Sequence, residues 1–301
     1  MENALRSNCI YFVMILQIAN WKLKVGCGEI VAEVLQNLKP FLISENSGDV
    51  TSLLCRLELK CALSAREDSP DVTNVLNGRQ VRIWLTPEHC HLALTPLDSQ
   101  NTYWLCADRQ WRHVETDLRL EALEEYEVLN HFIMISFIYS SAFAGTVLIH
   151  ASCIAVGDEG VAFVGPSGIG KSTHSQLWLK YIPGTWLLND DQPVLRVMPG
   201  GEVMLFGSPW SGKTPCYNKE GVRLKSLFYM EQAEQDSADR LTGIRAFRVL
   251  LGVTSLIGRD GMSFAAISST LVQISGIIPA FILRNKPEKE AAELSYSIFR
   301  T

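Results

Sequence analysis

No C-x-x-C pair occurs among the eight cysteines, at 9, 27, 55, 61, 90, 106, 153 and 216, so the spacing writes neither a zinc ribbon nor a disulfide framework. A reducing, cytoplasmic setting is the simpler expectation. Basic runs are also missing. With 27 Lys and Arg against 32 Asp and Glu, the net charge of −5 argues against a nucleic-acid partner, which needs a patch that neutralises phosphates. No internal repeat or low-complexity tract is present, which excludes solenoid and array architectures. Membrane signals are weak as well. Cys9 to Ala19 is apolar after Arg6, but it runs into Asn20-Trp21-Lys22 without an A-x-A-like cleavage site, as a buried strand would. Phe132 to Ile149 and Met262 to Leu283 lack charges over a spanning length, yet each carries serines and a glycine. Each is expected to be a buried helix followed by a strand, and no membrane partner is expected.

What is present is a chain of 301 residues with 47% hydrophobic content, enough for one large domain or two ordinary ones. Apolar segments at Ile10 to Ile18 and Trp21 to Val25 flank Ala19-Asn20 and predict a hairpin. Glu29 to Leu38 has helical periodicity and stops at Pro40. Short strands are expected at Thr51 to Leu59, Gln80 to Leu85, His91 to Thr95, Tyr103 to Ala107 and Trp111 to Thr116, with Arg66 to Gly78 as a loop. From Glu121 to Phe143 the period becomes helical, with a charged start and an apolar end. The expectation is a β-rich N-terminal domain over 1–117 and a second domain over 118–301 that carries the chemistry.

The second part is organised around Gly165 to Thr173, GPSGIGKST, which fits the phosphate-loop (Walker A) pattern G-x-x-x-x-G-K-[ST]. An apolar run precedes it and a helical pattern from His174 to Tyr181 follows. A plain strand-to-helix turn would also use glycines, but it would not need the Lys-Ser pair in that frame. Gly165, Gly168 and Gly170 reach backbone angles closed to other residues, so N–H groups, including those of Ser167 and Ile169, can turn toward phosphate oxygens. Lys171 supplies positive charge to the β- and γ-phosphates. Ser172 offers its hydroxyl to Mg²⁺, and the helix that runs through Ser172 and Thr173 points its positive end at the anion. ATP and Mg²⁺ are the cofactors expected.

Asp190 and Asp191 follow a short apolar strand, Trp186 to Leu188, where a phosphate-loop enzyme keeps its metal-binding carboxylate; Asn-Asp-Asp-Gln-Pro is also good turn chemistry. His150 is expected to end a strand at Val147 to Ile149, at the side of the sheet where strand ends converge on bound phosphate. Gly207 to Pro215, GSPWSGKTP, is a second Gly/Ser/Lys-rich turn. Ser211, Gly212 and Lys213 are a candidate second phosphate or substrate loop, with Trp210 as an apolar wall. His89-Cys90-His91 suggests metal only at first sight. On a strand the two histidines face one way and the cysteine the other, with no further ligand close by.

These residues together resemble the HPr kinase/phosphorylase family, whose nucleotide-binding core is shared with ATP-dependent phosphoenolpyruvate carboxykinases. The order that carries the resemblance is His150, a hairpin, GPSGIGKST, a helix and then LLNDDQPVL, over roughly His150 to Val197. GSPWSGK and LKSLFYMEQA resemble a branch of kinase-like relatives, some associated with peptide modification. The resemblance implies an α/β (α+β) fold with a mixed-sheet P-loop core. It implies that residues 165–170 cradle phosphates, Lys171 contacts the β- and γ-phosphates, and Ser172 and Asp191 hold Mg²⁺. Asp190 would be the catalytic base and His150 a neighbour of the phosphoryl site. The chain departs from the family in lacking a clear match to its downstream metal glutamate and its Gly-Arg-Asn loop, Arg259-Asp260-Gly261 being the nearest stretch.

The function expected is a Mg²⁺-dependent kinase that moves the γ-phosphate of ATP to a hydroxyl of serine, a peptide, a protein or a small molecule. A homo-oligomer is compatible with the sequence. The rival from another class is a nucleotide-binding sensor or partner protein without catalysis. A carboxykinase-like enzyme ranks third, because that reaction needs a denser set of metal and carboxylate-binding residues.

Overall fold

The computed structural model describes residues 13–27, 31–44, 53–60, 63–76, 78–212 and 214–301. Of the expectations above, the strand starts at Ile10 and Thr51, the helix start at Glu29, and Lys213 lie outside the described residues. β1 (Val13–Ile18) and β2 (Trp21–Gly26) meet at Ala19 and Asn20, whose φ angles of 49° and 61° are the left-handed pair that a two-residue hairpin requires. The helix expected through Leu38 is one turn, α1 (Val31–Val34), followed by a 3₁₀ segment over Gln36–Phe41. Pro40 lies inside that segment, and its ring is incompatible with an α-helical path through the preceding turn.

β3 (Leu53–Leu59), β4 (Val72–Leu76), β5 (Arg79–Leu85), β6 (His89–Pro96), β7 (Tyr103–Asp108) and β8 (His113–Thr116) complete an eight-stranded sheet in the order β1-β2-β3-β8-β7-β6-β5-β4. β3 runs parallel to both β2 and β8, and β4 to β8 are antiparallel to one another. Strand β4 corrects the loop expected from Arg66 to Gly78. It lies at the sheet edge with Thr73, Asn74 and Val75 exposed, so no buried face stamps an alternation on its sequence. Trp111 precedes β8 in a turn, with φ 57° and its ring fully buried.

α2 (Leu123–Ala142) follows, and two compact units part inside it between Ser136 and Phe137, with Ile18–Trp21 counted in the second. The sequence places the division at 117/118, before the helix.

The second unit is built on β9 (Thr146–Leu148), β10 (Ala151–Val156), β11 (Glu159–Val164), β12 (Thr185–Asp191), β13 (Val194–Val197), β14 (Val203–Phe206), β15 (Gly221–Gln232), β16 (Ser237–Leu241) and β17 (Ala280–Asn285). Its helices are α3 (Lys171–Tyr181), α4 (Ile244–Val253), α5 (Gly261–Ile277) and α6 (Lys289–Phe299). The sheet order is β12-β10-β11-β15-β14-β13-β9, with β17 also on β15 and β16 on β17. β11–β15 and β15–β17 are parallel and the other pairs antiparallel. Strand β15 serves two partners along one edge: Gly221–Arg223 pair with β14, and Leu227–Gln232 with β17. The architecture is thus mixed α/β with mixed sheets, in keeping with an α+β class.

Alternation along β11 explains why the sheet is covered on both faces. Val161 and Phe163 enter one core with Trp178 of α3 and Phe299 of α6, while Ala162 and Val164 enter another with Leu250 of α4 and Leu271 of α5. Phe163 lies 5.7 Å from Trp178 and 5.8 Å from Phe228 between ring centroids, a packed aromatic group that holds α3 against the sheet. The two charge-free stretches fall on α2 followed by β9 and on α5 followed by β17. No described helix is long and apolar enough to cross a membrane. Among the described residues, Cys27, Cys55, Cys90, Cys106, Cys153 and Cys216 form no disulfide.

Candidate functional site

β11 delivers the chain into the 165–170 loop, and α3 begins at Lys171 directly behind it. Gly165, Gly168 and Gly170 have φ angles of 145°, 81° and 108°, so all three glycines that the motif supplies occupy backbone conformations that L side chains rarely adopt. Space is not what excludes a side chain at Gly168 and Gly170, since a Cβ there would meet nothing within 4 Å. The loop therefore presents open backbone at these two positions. No side chain caps α3, because its N-cap residue is Gly170. The first N–H groups of a helix have no intrahelical partner, and an anion satisfies them.

Lys171 is only 8% exposed, and its ammonium folds back onto the loop, donating to the carbonyls of Gly165 and Pro166, each at 3.1 Å. Burial pulls this lysine below its ordinary value, against the opposing pull of Asp191 and Asp190. Ser172 donates its hydroxyl to Asp190 Oδ1 at 2.8 Å. Ser152 and Ser175, both buried, share a hydrogen bond of 2.6 Å that ties β10 to α3 one turn farther on.

Asp190 and Asp191 are the last two residues of β12, not part of a turn beyond it. Antiparallel pairing sets Ser152 opposite Asp190 and Ala151 opposite Asp191, which brings His150, just before β10, alongside the acids. His150 Nδ1 lies 2.8 Å from Asp191 Oδ1. His150 itself belongs to neither strand: β9 stops at Leu148, and the His150 N–H donates to the Val253 carbonyl at 2.7 Å. Asp190 is 7% exposed. Two thiols near it are kept protonated. Burial, then Asp190, raises Cys153, and the same causes push Cys216 up to about 11.

The second turn reaches the same place. Ser211 forms a bridge with Asp191, and the Gly212 N–H donates to the Asp190 carbonyl at 2.7 Å. A Cβ on Gly212 would stand 2.9 Å from that carbonyl oxygen, so the approach depends on glycine. Trp210, expected as an apolar wall, is buried against Phe137 with ring centroids 5.8 Å apart.

Sequence reasoning passed over Asn189. Its side chain is fully buried, donates to the carbonyls of Ser208 at 3.4 Å and Trp210 at 3.2 Å, and accepts from the Gln192 N–H at 2.9 Å. It thereby fastens the 208–212 turn to the strand that bears the acids. The available signal was an amide side chain adjoining paired acids on an otherwise apolar strand. Asp260, in the stretch nearest the family's Gly-Arg-Asn loop, is the N-cap of α5 and accepts from the Met262 N–H at 3.3 Å.

The residues suit a nucleotide phosphate with Mg²⁺ in one respect that can be checked. Among the described residues no group of three or more His, Cys, Asp or Glu could hold a metal unaided. Mg²⁺ is ordinarily held by one or two carboxylates completed by substrate phosphates and water, and the Ser172 hydroxyl, the paired carboxylates and the uncapped start of α3 are groups that would suit such an ion.

No family model matches the chain, and no curated protein does. A solved structure of the HPr(Ser) kinase/phosphatase from Coxiella burnetii is similar at 13% identity, over 51% of this chain and 95% of that one, with a TM-score of 0.32. That likeness is too low to transfer any residue's role.

Proposed function

We propose that the chain is an ATP- and Mg²⁺-dependent phosphotransferase that moves the γ-phosphate to a hydroxyl, on a P-loop core of the HPr kinase kind. The observation that carries this reading is the Ser172–Asp190 hydrogen bond beside the His150–Asp191 pair, at the mouth of a loop with three positive-φ glycines. In this reading the loop amides and the start of α3 bind the phosphates, and Lys171 exchanges its two carbonyl partners for phosphate oxygens. Ser172 and Asp191 would hold Mg²⁺, which supplies charge neutralisation at the phosphates. Asp190 takes the proton of the acceptor hydroxyl as its oxygen bonds to phosphorus and the β,γ-bridging bond breaks, with ADP leaving. His150 orients Asp191. Most of the rate comes from positioning, because a loose transition state asks little of the base.

A non-catalytic nucleotide-binding protein is the second reading, favoured by the lack of a clear match in the sequence to the downstream metal glutamate and the Gly-Arg-Asn loop of the family it resembles. Transfer of label from γ-labelled ATP to serine, peptide or protein acceptors separates the two. Transfer that Lys171→Ala and Asp190→Asn both leave intact removes the assigned roles, and tight ATP binding with no transfer to any acceptor selects the second reading.

A further inference from the structure

The helical layer over one face of the second sheet combines two features that a free surface ordinarily avoids. α4 and α5 pack on each other and share one core with Ala162 and Val164 of β11 through Ala246, Leu250, Ile267 and Leu271, so their outer sides form a single surface. A surface helix ordinarily carries charges on its outer side. α5 has none over its 17 residues, yet it exposes Met262, Phe264, Val272 and Ile277, and Ile244 of α4 is exposed beside them. Exposed apolar side chains gathered on one layer mark an interaction site.

Charge narrows the partner. In a chain of net charge −5, residues 242–279 hold three arginines and a single acid, Asp260, which is buried as the N-cap of α5. Arg245 and Arg248 are exposed on α4, and neither forms an ion pair among the described residues, whereas Arg223 meets Asp158, Glu159 and Glu202, and Arg284 meets Glu231 and Asp239. The two lie one turn apart toward the positive end of α4, which has no acid in its first turn. Like charges at that spacing repel and the helix dipole adds to the cost, so an anionic partner relieves both. A two-fold contact between copies would double the positive charge in one interface, which disfavours a second copy of this chain.

The stripe of Arg245, Arg248 and Gly252 leads to the phosphoryl site. Gly252 is exposed, with open space where a side chain would stand. Beyond it the Val253 carbonyl accepts from the His150 N–H at 2.7 Å, and Thr254 bridges to Ile149. At about 1.5 Å per helical residue the two arginines lie roughly 7–12 Å along α4 from Val253, a length that about two to four residues of extended peptide cover.

We propose that the α4–α5 surface docks an acceptor peptide rich in acidic and apolar residues, with its acids on Arg245 and Arg248 and its serine at the mouth formed by His150 and Asp190. The role of acceptor rests on the phosphotransferase reading above, and the test keeps the two apart. Serine peptides with leucines and with glutamates about two to four positions to either side of the serine are compared with peptides in which lysine replaces glutamate. Fluorescence anisotropy on the full chain without nucleotide gives binding, and label transfer from γ-labelled ATP gives kcat and KM. The glutamate peptides are expected to bind about tenfold more tightly or better, and Arg245→Glu combined with Arg248→Glu to reverse the order. That double variant is expected to raise KM for the glutamate peptides and to hold kcat and ATP affinity, the last of which shows that it is folded. Should it disturb ATP binding, Arg245→Ala and Arg248→Ala are put singly through the same comparison. Val272→Ser with Ile277→Ser is expected to weaken the same peptides. Peptides that bind and react alike whatever their charge, or a preference that survives the reversal, overturn the docking surface and leave the phosphotransferase standing. Glutamate peptides that bind through these arginines and accept no phosphate support the surface and overturn the transfer. Reversal-sensitive binding to phosphatidylglycerol vesicles without discrimination among peptides, or a dimer broken by the serine variants, overturns the peptide in favour of a membrane or a second copy.

Discussion

Ser172 and Asp190, eighteen residues apart, are joined by a 2.8 Å hydrogen bond from the first turn of α3 to the end of β12. The hydroxyl and the carboxylate are therefore positioned relative to one another by two rigid elements. A site built on helix and strand ends loses little to reorganisation when a ligand arrives.

Asp190→Asn keeps the shape of the side chain and removes its capacity to take a proton. Phosphate transfer from γ-labelled ATP is expected to fall by about 10²–10⁴-fold, the usual share of a general base, while ATP affinity measured by calorimetry changes less than tenfold. Lys171→Ala is expected to weaken ATP binding itself. Affinity lost in Asp190→Asn with transfer per bound nucleotide preserved would make the residue a binding group and not the base.

Two glycines should respond oppositely in stability and in binding. At Gly207 a Cβ would stand 1.9 Å from the Asn218 carbonyl oxygen and 3.0 Å from that of Leu188, so Gly207→Ala must move backbone. Gly168 has open space but φ 81°, and its alanine variant pays only the conformational cost of about 1–2 kcal/mol. Urea unfolding is expected to show the larger loss at Gly207, and ATP titration the larger loss at Gly168. Equal stability losses would contradict the geometry.

The fold should weaken on mild acidification through His174. Its value in the folded chain is about 4 against an ordinary 6.5, so between these limits the unfolded chain binds the proton and the folded chain does not. Stability from this group is complete above pH 6.5 and is lost as pH falls toward 4, a span of about 3 kcal/mol at most. His131, which burial also holds low against the raising pull of the Glu127 carbonyl, adds with the same sign. Chemical unfolding at pH 7 and pH 5 should show the drop in the wild type and a smaller one in His174→Gln; identical drops would remove His174 from the account.

Asn189→Ala should separate positioning from binding. The substitution leaves the Gln192 N–H without its acceptor and frees two carbonyls of the 208–210 turn, a loss of about 1–3 kcal/mol in unfolding free energy. Label transfer is expected to fall while ATP affinity holds, because the loop and α3 are untouched. A matching fall in affinity would place Asn189 in support of the nucleotide itself.

Local signals in the sequence were enough to locate most of the elements. The hairpin at Ala19-Asn20, the helix that runs through His174 to Tyr181 behind the motif and the glycines that need positive φ are each specified within a few residues, by turn chemistry or by periodicity. Edge strand β4 was not legible, because an exposed strand has no buried face to impose a period of two. Asp190 and Asp191 resembled a turn because polar residues at a strand end and in a loop have the same composition; cross-strand pairing with Ala151 and Ser152 decides between them. The contact of His174 with Ser295, 121 residues distant, has no local signature at all.

Strand β15, shared along one edge by β14 and β17, has a consequence for biosynthesis. β11 pairs at once with β10 through the turn at Gly157-Asp158, but its other neighbour arrives only with Arg223–Tyr229, and that neighbour's far half waits in turn for β17. A nascent polypeptide emerging from the ribosome thus carries the bare edge of a largely apolar strand for a long stretch of translation, the kind of surface that chaperones engage. A chain released before Arg223 would contain every residue of the glycine motif and still have no second rail to hold it in place.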